Sequence, residues 1–437
     1  MYLKVITIYS FKLLLLLFLF ALVSGCGSLK SDSQTEPSRK RPSAPSNQFT
    51  IPGELIIDNS VQSIQLFRKG HERSAPIISL NSNDKLQLRF DYLQLDNRQF
   101  RISFTHHDPD WKRSSLAQDF FQEGFYNITF GGGKISDSRR PVYRQYNFEF
   151  PNEQIQFKVS GNYLLRVEDF DTGNLLFTLP FFIHENEGDI RSSVESIIAP
   201  REDLRKTQLP AGRFILPEFV NEPQFDLRFY FFQNQFWGRG KIAGEVDFSN
   251  PDESYFELER DSAFIADYEF ISLEFNEISQ DPPRILDVDP VKIPPVIELN
   301  EDTEGFTSSS FMPGNRFGNP DTNLDARYAK VLFKFNPGYF IPPGSEIYLV
   351  GDFNNWSLQT AQKLTFDEES ERWLTNATVK EGSYLYKYVL LENNRIKDLY
   401  FDDRFRRTNQ QYHSFVYFFD QTEFYYRLLQ VNEFIGR

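Results

Sequence analysis

Polar and apolar residues alternate with a period of two along most of the chain beyond residue 50. K-L-Q-L-R-F sets Leu86, Leu88 and Phe90 on one face and Lys85, Gln87 and Arg89 on the other. F-R-I-S-F (Phe100, Ile102, Phe104), Y-N-F-E-F (Tyr146, Phe148, Phe150) and Y-L-L-R-V (Tyr163, Leu165, Val167) repeat the pattern. Successive side chains of a strand point to opposite faces, so each run predicts a half-buried strand. Turn formers such as Asn81-Ser82-Asn83-Asp84 and Ser160-Gly161-Asn162 separate the runs. This spacing predicts an antiparallel β-sandwich over 51–187, with one short helix at 115–122. The polar break H-E-N-E-G-D at 184–189 leads into a second β domain over 188–300, with F-D-L-R-F-Y-F-F and S-Y-F-E-L as strands. A stretch rich in Gly, Pro, Ser and Asn, 301–326, predicts a loop or linker. A last β domain follows over 327–437, built from Y-A-K-V-L-F-K-F, E-I-Y-L-V-G-D-F, Y-L-Y-K-Y-V-L-L and S-F-V-Y-F-F. No segment recurs at a fixed period, which excludes a solenoid or propeller. The expected class is all-β, with tandem β-sandwiches.

The start of the chain follows a different pattern. After Lys4 and Lys12, residues 13–22 read L-L-L-L-L-F-L-F-A-L. This run is too short for a membrane-spanning helix, which needs roughly 20 apolar residues, and it fits the apolar region of a signal peptide over 1–25. Val23-Ser24-Gly25-Cys26 is similar to a bacterial lipobox, so Cys26 is the expected lipidation site. Cys26 is the only cysteine of 437 residues, which rules out an internal disulfide. Resemblance to other lipoproteins gives Gly27 a meaning: without Asp at that position, the anchor belongs in the outer membrane. The expected location is the periplasm, on the inner leaflet of that membrane. Residues 26–50 hold almost no large apolar side chain and predict a disordered tether.

Charge and composition narrow the partners. The net charge is -14, and the sequence pI is near 5.0. Loss of Lys4 and Lys12 with the leader makes it -16. A polyphosphate needs a basic footprint, so nucleic acid is excluded as a partner. Aromatic residues reach 16%, with 46 Phe and 21 Tyr, which suits sheet cores and protein interfaces. No P-loop, G-x-G-x-x-G, G-x-S-x-G or H-E-x-x-H occurs. The most enzyme-like cluster is T-H-H-D-P-D-W, where His106, His107, Asp108 and Asp110 could ligate a metal. Adjacent strand residues face opposite ways, however, and no second His or Cys group completes a shell. The structural reading is a turn at Asp108-Pro109 with Trp111 closing the sheet edge. No catalytic residue, metal or cofactor is expected.

Two family resemblances follow from ordered motifs. T-H-H-D-P-D-W, S-S-L, E-G-F-Y, Y-R-Q-Y and S-G-N-Y fall in that order over 105–163. The segment 51–186 resembles the N-terminal domain of type IX secretion system plug proteins. Its signature positions here are His106, Asp110, Trp111, Gly124, Phe125, Tyr146, Ser160, Gly161, Asn162 and Tyr163, which the resemblance also makes possible interface residues. One position departs: Asp108 or Pro109 stands where the family has Cys or Asn before Asp-Trp. The resemblance implies a non-enzymatic, all-β periplasmic protein that docks on a large outer-membrane translocon barrel and closes its pore. The last domain resembles the early-set immunoglobulin-like fold of glycogen-binding modules, through G-D-F-N-N-W-S, R-W-L-T-N-A-T-V and E-G-S-Y-L-Y-K-Y-V. Trp356 and Lys387 fall on sugar-contacting positions of those modules, which implies an alternative, a carbohydrate-binding lipoprotein. Glu392-Asn393-Asn394-Arg395 replaces the turn that carries the second sugar-gripping Trp, and the later Asn-Asn pair has no counterpart in Q-Q-Y-H-S-F.

Overall fold

The computed structural model describes residues 47–56, 60–72, 74–138, 141–197, 206–275, 278, 284–303, 311, 324–402 and 408–436. The signal peptide, Cys26, most of the tether and most of the 301–326 linker lie outside the described residues.

The alternating runs bury the faces the pattern assigns them. In the first sandwich, strands Val61–Arg68, Leu86–Tyr92, Arg144–Phe150 and Lys134–Ile135 form one sheet. The other holds Ile77–Ser79, Leu175–His184, Gly161–Asp169, Phe100–His107 and Asn127–Phe130. Leu86, Leu88, Phe90, Phe100, Ile102, Phe104, Tyr146, Phe148, Phe150, Tyr163, Leu165 and Val167 are all buried between them. The Phe90 ring meets Phe100 at 5.1 Å, Phe177 at 5.3 Å and Tyr146 at 5.4 Å, spacings that aromatic pairs prefer. The short helix is a single turn, Gln118–Phe121.

The second sandwich corrects the expected domain order. One sheet is Asp189–Ile197, Thr207–Ile215, Glu253–Glu257 and Glu245–Asp247. The facing sheet runs Lys241–Ile242, Leu227–Gln233, Gln410–Asp420 and Tyr425–Gly436. Leu227 pairs with Phe418 and Gln233 with Tyr412, so the C-terminal hairpin completes this sandwich. S-F-V-Y-F-F therefore does not belong to the last domain. The hairpin is apolar on both faces because one packs into this sandwich and the other against the first. A strand covered on both sides reads as a continuous apolar run, which carries no information about its partner.

The third sandwich spans 271–402, so the expected limits at 300 and 327 fall inside it. Ile271–Phe275 pairs with Gly382–Glu392, which continues to Glu346–Gly351 and Gln362–Lys363. Across the core lie Ile285–Asp289, Val296–Leu299, Tyr328–Asn336, Arg372–Lys380 and Thr365–Asp367. Val296–Leu299 runs parallel to Tyr328–Asn336. All three sandwiches belong to one compact unit, 45–437. The tether expectation is corrected at its end: Phe49 and Thr50 are buried, and 47–56 is a strap threaded through the seams.

Candidate functional site

Three seams join the sandwiches, and most signature residues lie in or beside one of them. Where the first sandwich meets the C-terminal hairpin, Phe182 packs on Trp111 (5.6 Å), Trp237 (4.8 Å) and Phe415 (4.9 Å). Asn162 donates through Nδ2 to the Asp108 carbonyl (3.2 Å) and accepts from the Tyr417 hydroxyl (2.7 Å). Ser160 donates to Glu185 (2.7 Å) and accepts from the Leu428 amide (2.9 Å), while Arg427 pairs with Glu185 (2.5 Å). Ser160 and Asn162 are buried and each takes a partner from the C-terminal hairpin, Leu428 and Tyr417, so separating the halves would leave these groups unsatisfied.

His106 sits behind this seam. Its Nε2–H donates to the Ser160 carbonyl (3.0 Å), which leaves Nδ1 to accept from Ser114 Oγ (2.9 Å). Burial pushes its pKa down to about 4, against a smaller upward pull from the Ser160 bond. His107 faces the other way and meets the Trp111 carbonyl (2.9 Å). Among the described residues no cluster of three or more His, Cys, Asp or Glu is arranged to hold a metal. Tyr163 donates to Val159 (2.8 Å), and Tyr146 accepts from the Arg98 amide (3.1 Å). Gly161, at φ +137°, lets the His106 ring pass: a Cβ there would lie 2.3 Å from Nε2. Thus His106, Trp111, Tyr146, Ser160, Gly161, Asn162 and Tyr163 are buried and hold the fold and the seam. The expectation that they form an external interface is corrected. Asp110 is exposed and pairs with Lys112 (2.6 Å). Gly124 and Phe125 alone of the signature also present an outward surface, and Phe125 is 63% exposed.

The first and third sandwiches meet at a buried ion pair. Asp91, on strand Leu86–Tyr92, faces Lys380 at 2.6 Å, and both side chains are 1% exposed. Asp91 also accepts from the Tyr328 hydroxyl (2.7 Å), and the Lys380 ammonium lies 4.3 Å from the Tyr143 ring centre. Burial holds the Lys380 pKa below its ordinary value, although Asp91 pulls the other way. The Tyr143 hydroxyl donates to the Ala326 carbonyl (2.9 Å) and completes the contact.

The strap joins the second and third sandwiches. Arg239 pairs with Asp398 (2.5 Å), donates to the carbonyls of Asn47 (2.7 Å) and Gln48 (3.2 Å), and stacks 3.8 Å from the Phe49 ring centre. Phe49 packs on Phe236 (4.7 Å) and on Trp356 (5.7 Å). The other neighbours of Trp356 are Phe236 (5.3 Å) and Phe270 (5.4 Å), and its Nε1–H donates to Asp352 (2.9 Å). Lys387 is 2% exposed, paired with Asp402 (2.8 Å) and 3.8 Å from the Tyr268 ring centre. The expectation of a glycan site at Trp356 and Lys387 is therefore corrected. The chain's own strap and second sandwich lie against the Trp356 ring, and a buried carboxylate holds the lysine.

The architecture has a counterpart among known proteins. Residues 61–185 match the family model described as Type 9 secretion system plug protein 1st domain. The chain carries a type 9 secretion system plug domain. This plug domain coincides with the first sandwich, and it ties the chain to a type 9 secretion system and so to the cell envelope. A hypothetical protein from Parabacteroides merdae ATCC 43184 is similar in fold, with a TM-score of 0.78 over 89% of this chain and 100% of that chain, at 21% identity. The C-terminal domain of the Streptococcus agalactiae AgI/II polypeptide BspA is matched over 85% of this chain and 98% of that chain, at 6% identity and a TM-score of 0.17. No curated protein matches the chain.

Sequence reasoning missed Asp91, Tyr328, Lys380, Arg239 and Asp398, the residues that join plug domain, strap and third sandwich. A faint signal existed. The polar side of L-Q-L-R-F-D-Y is itself buried, and Lys380 closes the alternating run R-W-L-T-N-A-T-V-K. Neither marks a partner nearly 300 residues away.

Proposed function

We propose that this chain is a non-enzymatic plug of a type IX secretion translocon, closing the periplasmic mouth of the large outer-membrane barrel. The plug-domain match over 61–185 carries the reading. The seams support it mechanically. A stopper for a wide pore must resist being drawn through or pulled apart. Three sandwiches joined by the buried Asp91–Lys380 pair, the Arg239 strap and the aromatic seam at Phe182 act as one large body. A lipid on Cys26 would hold the plug to the inner leaflet of the outer membrane. Such tethering raises the effective concentration near the pore to the millimolar range, so a weak and reversible contact can still close it.

Two results test the reading together. Tagged chain isolated from envelope extracts carries the translocon barrel, and deletion of the gene admits large hydrophilic solutes through the outer membrane. Isolation free of any large barrel, with permeability unchanged on deletion, would refute it.

A further inference from the structure

We propose that docking uses an aromatic surface at one end of the seam between the plug domain and the second sandwich. Its partner is a folded protein surface with apolar pockets ringed by lysine and arginine. The inference rests on the plug reading and identifies its contact face. Three segments distant in sequence build this surface: 118–126, 217–226 and 420–425. They are physically joined. Phe120 packs on Tyr425 (6.0 Å) and Gln421 Nε2 donates to Asp226 (2.6 Å), while Gln122 Nε2 holds the Phe125 carbonyl within the first segment (2.6 Å) and Phe219 packs on Phe418, just before the third (5.5 Å).

These segments expose Phe125 (63%), Tyr126 (46%), Phe219 (37%), Phe225 (63%) and Phe424 (70%). Single exposed apolar residues are ordinary; five aromatics on adjoining segments mark a contact surface, where such side chains act as anchors. The backbone takes a special conformation at or beside two of them. Phe424 has φ +55°, a region that bulky residues avoid. Gly124, at φ +94°, turns the chain just before Phe125, where a Cβ would lie 2.2 Å from the Gln154 carbonyl oxygen.

Charge selects the occupant. The three segments contain seven carboxylates and no lysine or arginine. Asp119, Glu123, Glu218, Glu222 and Glu423 are exposed. Three cations border the surface and each already has partners: Arg427 pairs with Glu185 and Asp420 and lies 4.7 Å from the Phe219 ring centre, Lys158 donates to the Asp119 carbonyl, and Arg228 donates to the carbonyls of Phe225 and Leu227. An acidic rim repels anionic headgroups, and it sets like charge against like in a second copy of this chain. It attracts a basic rim, speeds encounter and fixes orientation.

The test measures binding of the full-length chain to the purified translocon barrel in detergent, across a salt series. Phe125→Ser/Phe424→Ser should weaken binding by about tenfold or more, as loss of anchor residues does. Glu218→Lys/Glu222→Lys should slow association and flatten its salt dependence. Phe340→Ser, on the third sandwich and 77% exposed, should bind as wild type. All variants are checked for an unchanged melting temperature. Wild-type binding that survives both patch variants would overturn this inference and leave the plug reading standing. Failure of the wild type to bind would remove both. Patch-dependent binding to phosphatidylglycerol vesicles, or patch-dependent self-association, with barrel binding unaffected, would overturn the stated partner.

Discussion

Removing the Lys380 ammonium should loosen the body more than any surface change. In Lys380→Met, Asp91 stays buried and keeps two neutral donors, the Tyr328 hydroxyl at 2.7 Å and Gln145 Nε2 at 3.4 Å. Breaking a buried pair from one side costs about 3–5 kcal/mol, because the remaining charge is uncompensated. The two remaining donors set the expectation at the lower end, about 3 kcal/mol. Asp91→Asn/Lys380→Met removes both charges and should come within roughly 1 kcal/mol of wild type, since desolvating the pair offsets most of its attraction. A double-mutant cycle in urea then reads a coupling of about 2 kcal/mol or more. The single variant should also expose the third sandwich to limited proteolysis before the plug domain. A Lys380→Met midpoint within about 0.5 kcal/mol of wild type, or a double variant as costly as the sum of the singles, would refute the reasoning.

Titration supplies two predictions of opposite sign, and calorimetry a third. His106 titrates near 4 in the folded chain, against 6.5 ordinarily, so between those values only the unfolded chain holds the proton. Stability should therefore fall by about 3 kcal/mol from this group as pH drops from 6.5 to 4, and His106→Asn should show a flatter profile over that window. Glu54, in a cleft of about 170 Å³ with Phe49 and Trp356, is pushed up to about 8, by burial first and against a weaker bond from the Ile51 amide. Here the folded chain keeps the proton, so stability falls as pH rises from 4.5 to 8. Glu54→Gln should gain roughly 2 kcal/mol at pH 8, allowing for the side chain's partial exposure, and nothing at pH 4.5. Titration with α-glucans should give no heat, because Lys387 is buried against Asp402 and Trp356 is packed against Phe49, Phe236 and Phe270. Heat that disappears in Trp356→Ala would restore the glycan reading.

The plug sandwich was legible because its sequence alternates cleanly, from Leu86 to Val167, even where the polar side is covered too, as at Arg89 and Asp91. The C-terminal hairpin was not. Strand Gln410–Asp420 is buried on both faces, so its sequence records burial without recording which sandwich supplies it. G-D-F-N-N-W-S was legible as a turn after a strand: Asn354 folds back on the local backbone at Gly351 and Leu349, and Asn355 is left-handed at φ +54°, although its side chain reaches the Ile64 carbonyl of the first sandwich. What covers Trp356 was illegible, because Phe49, Phe236 and Phe270 arrive from distant segments. The same holds for S-G-N-Y. Its order along the chain pointed to the family, while the role of Ser160 and Asn162 depends on Leu428 and Tyr417 across a seam.

Conductance of the purified barrel in a planar bilayer tests the central claim most directly. The barrel alone should pass a large, steady current. Full-length chain added to the periplasmic side should close it reversibly, and Lys380→Met should close it less completely. A current unchanged by saturating wild-type chain would contradict the account.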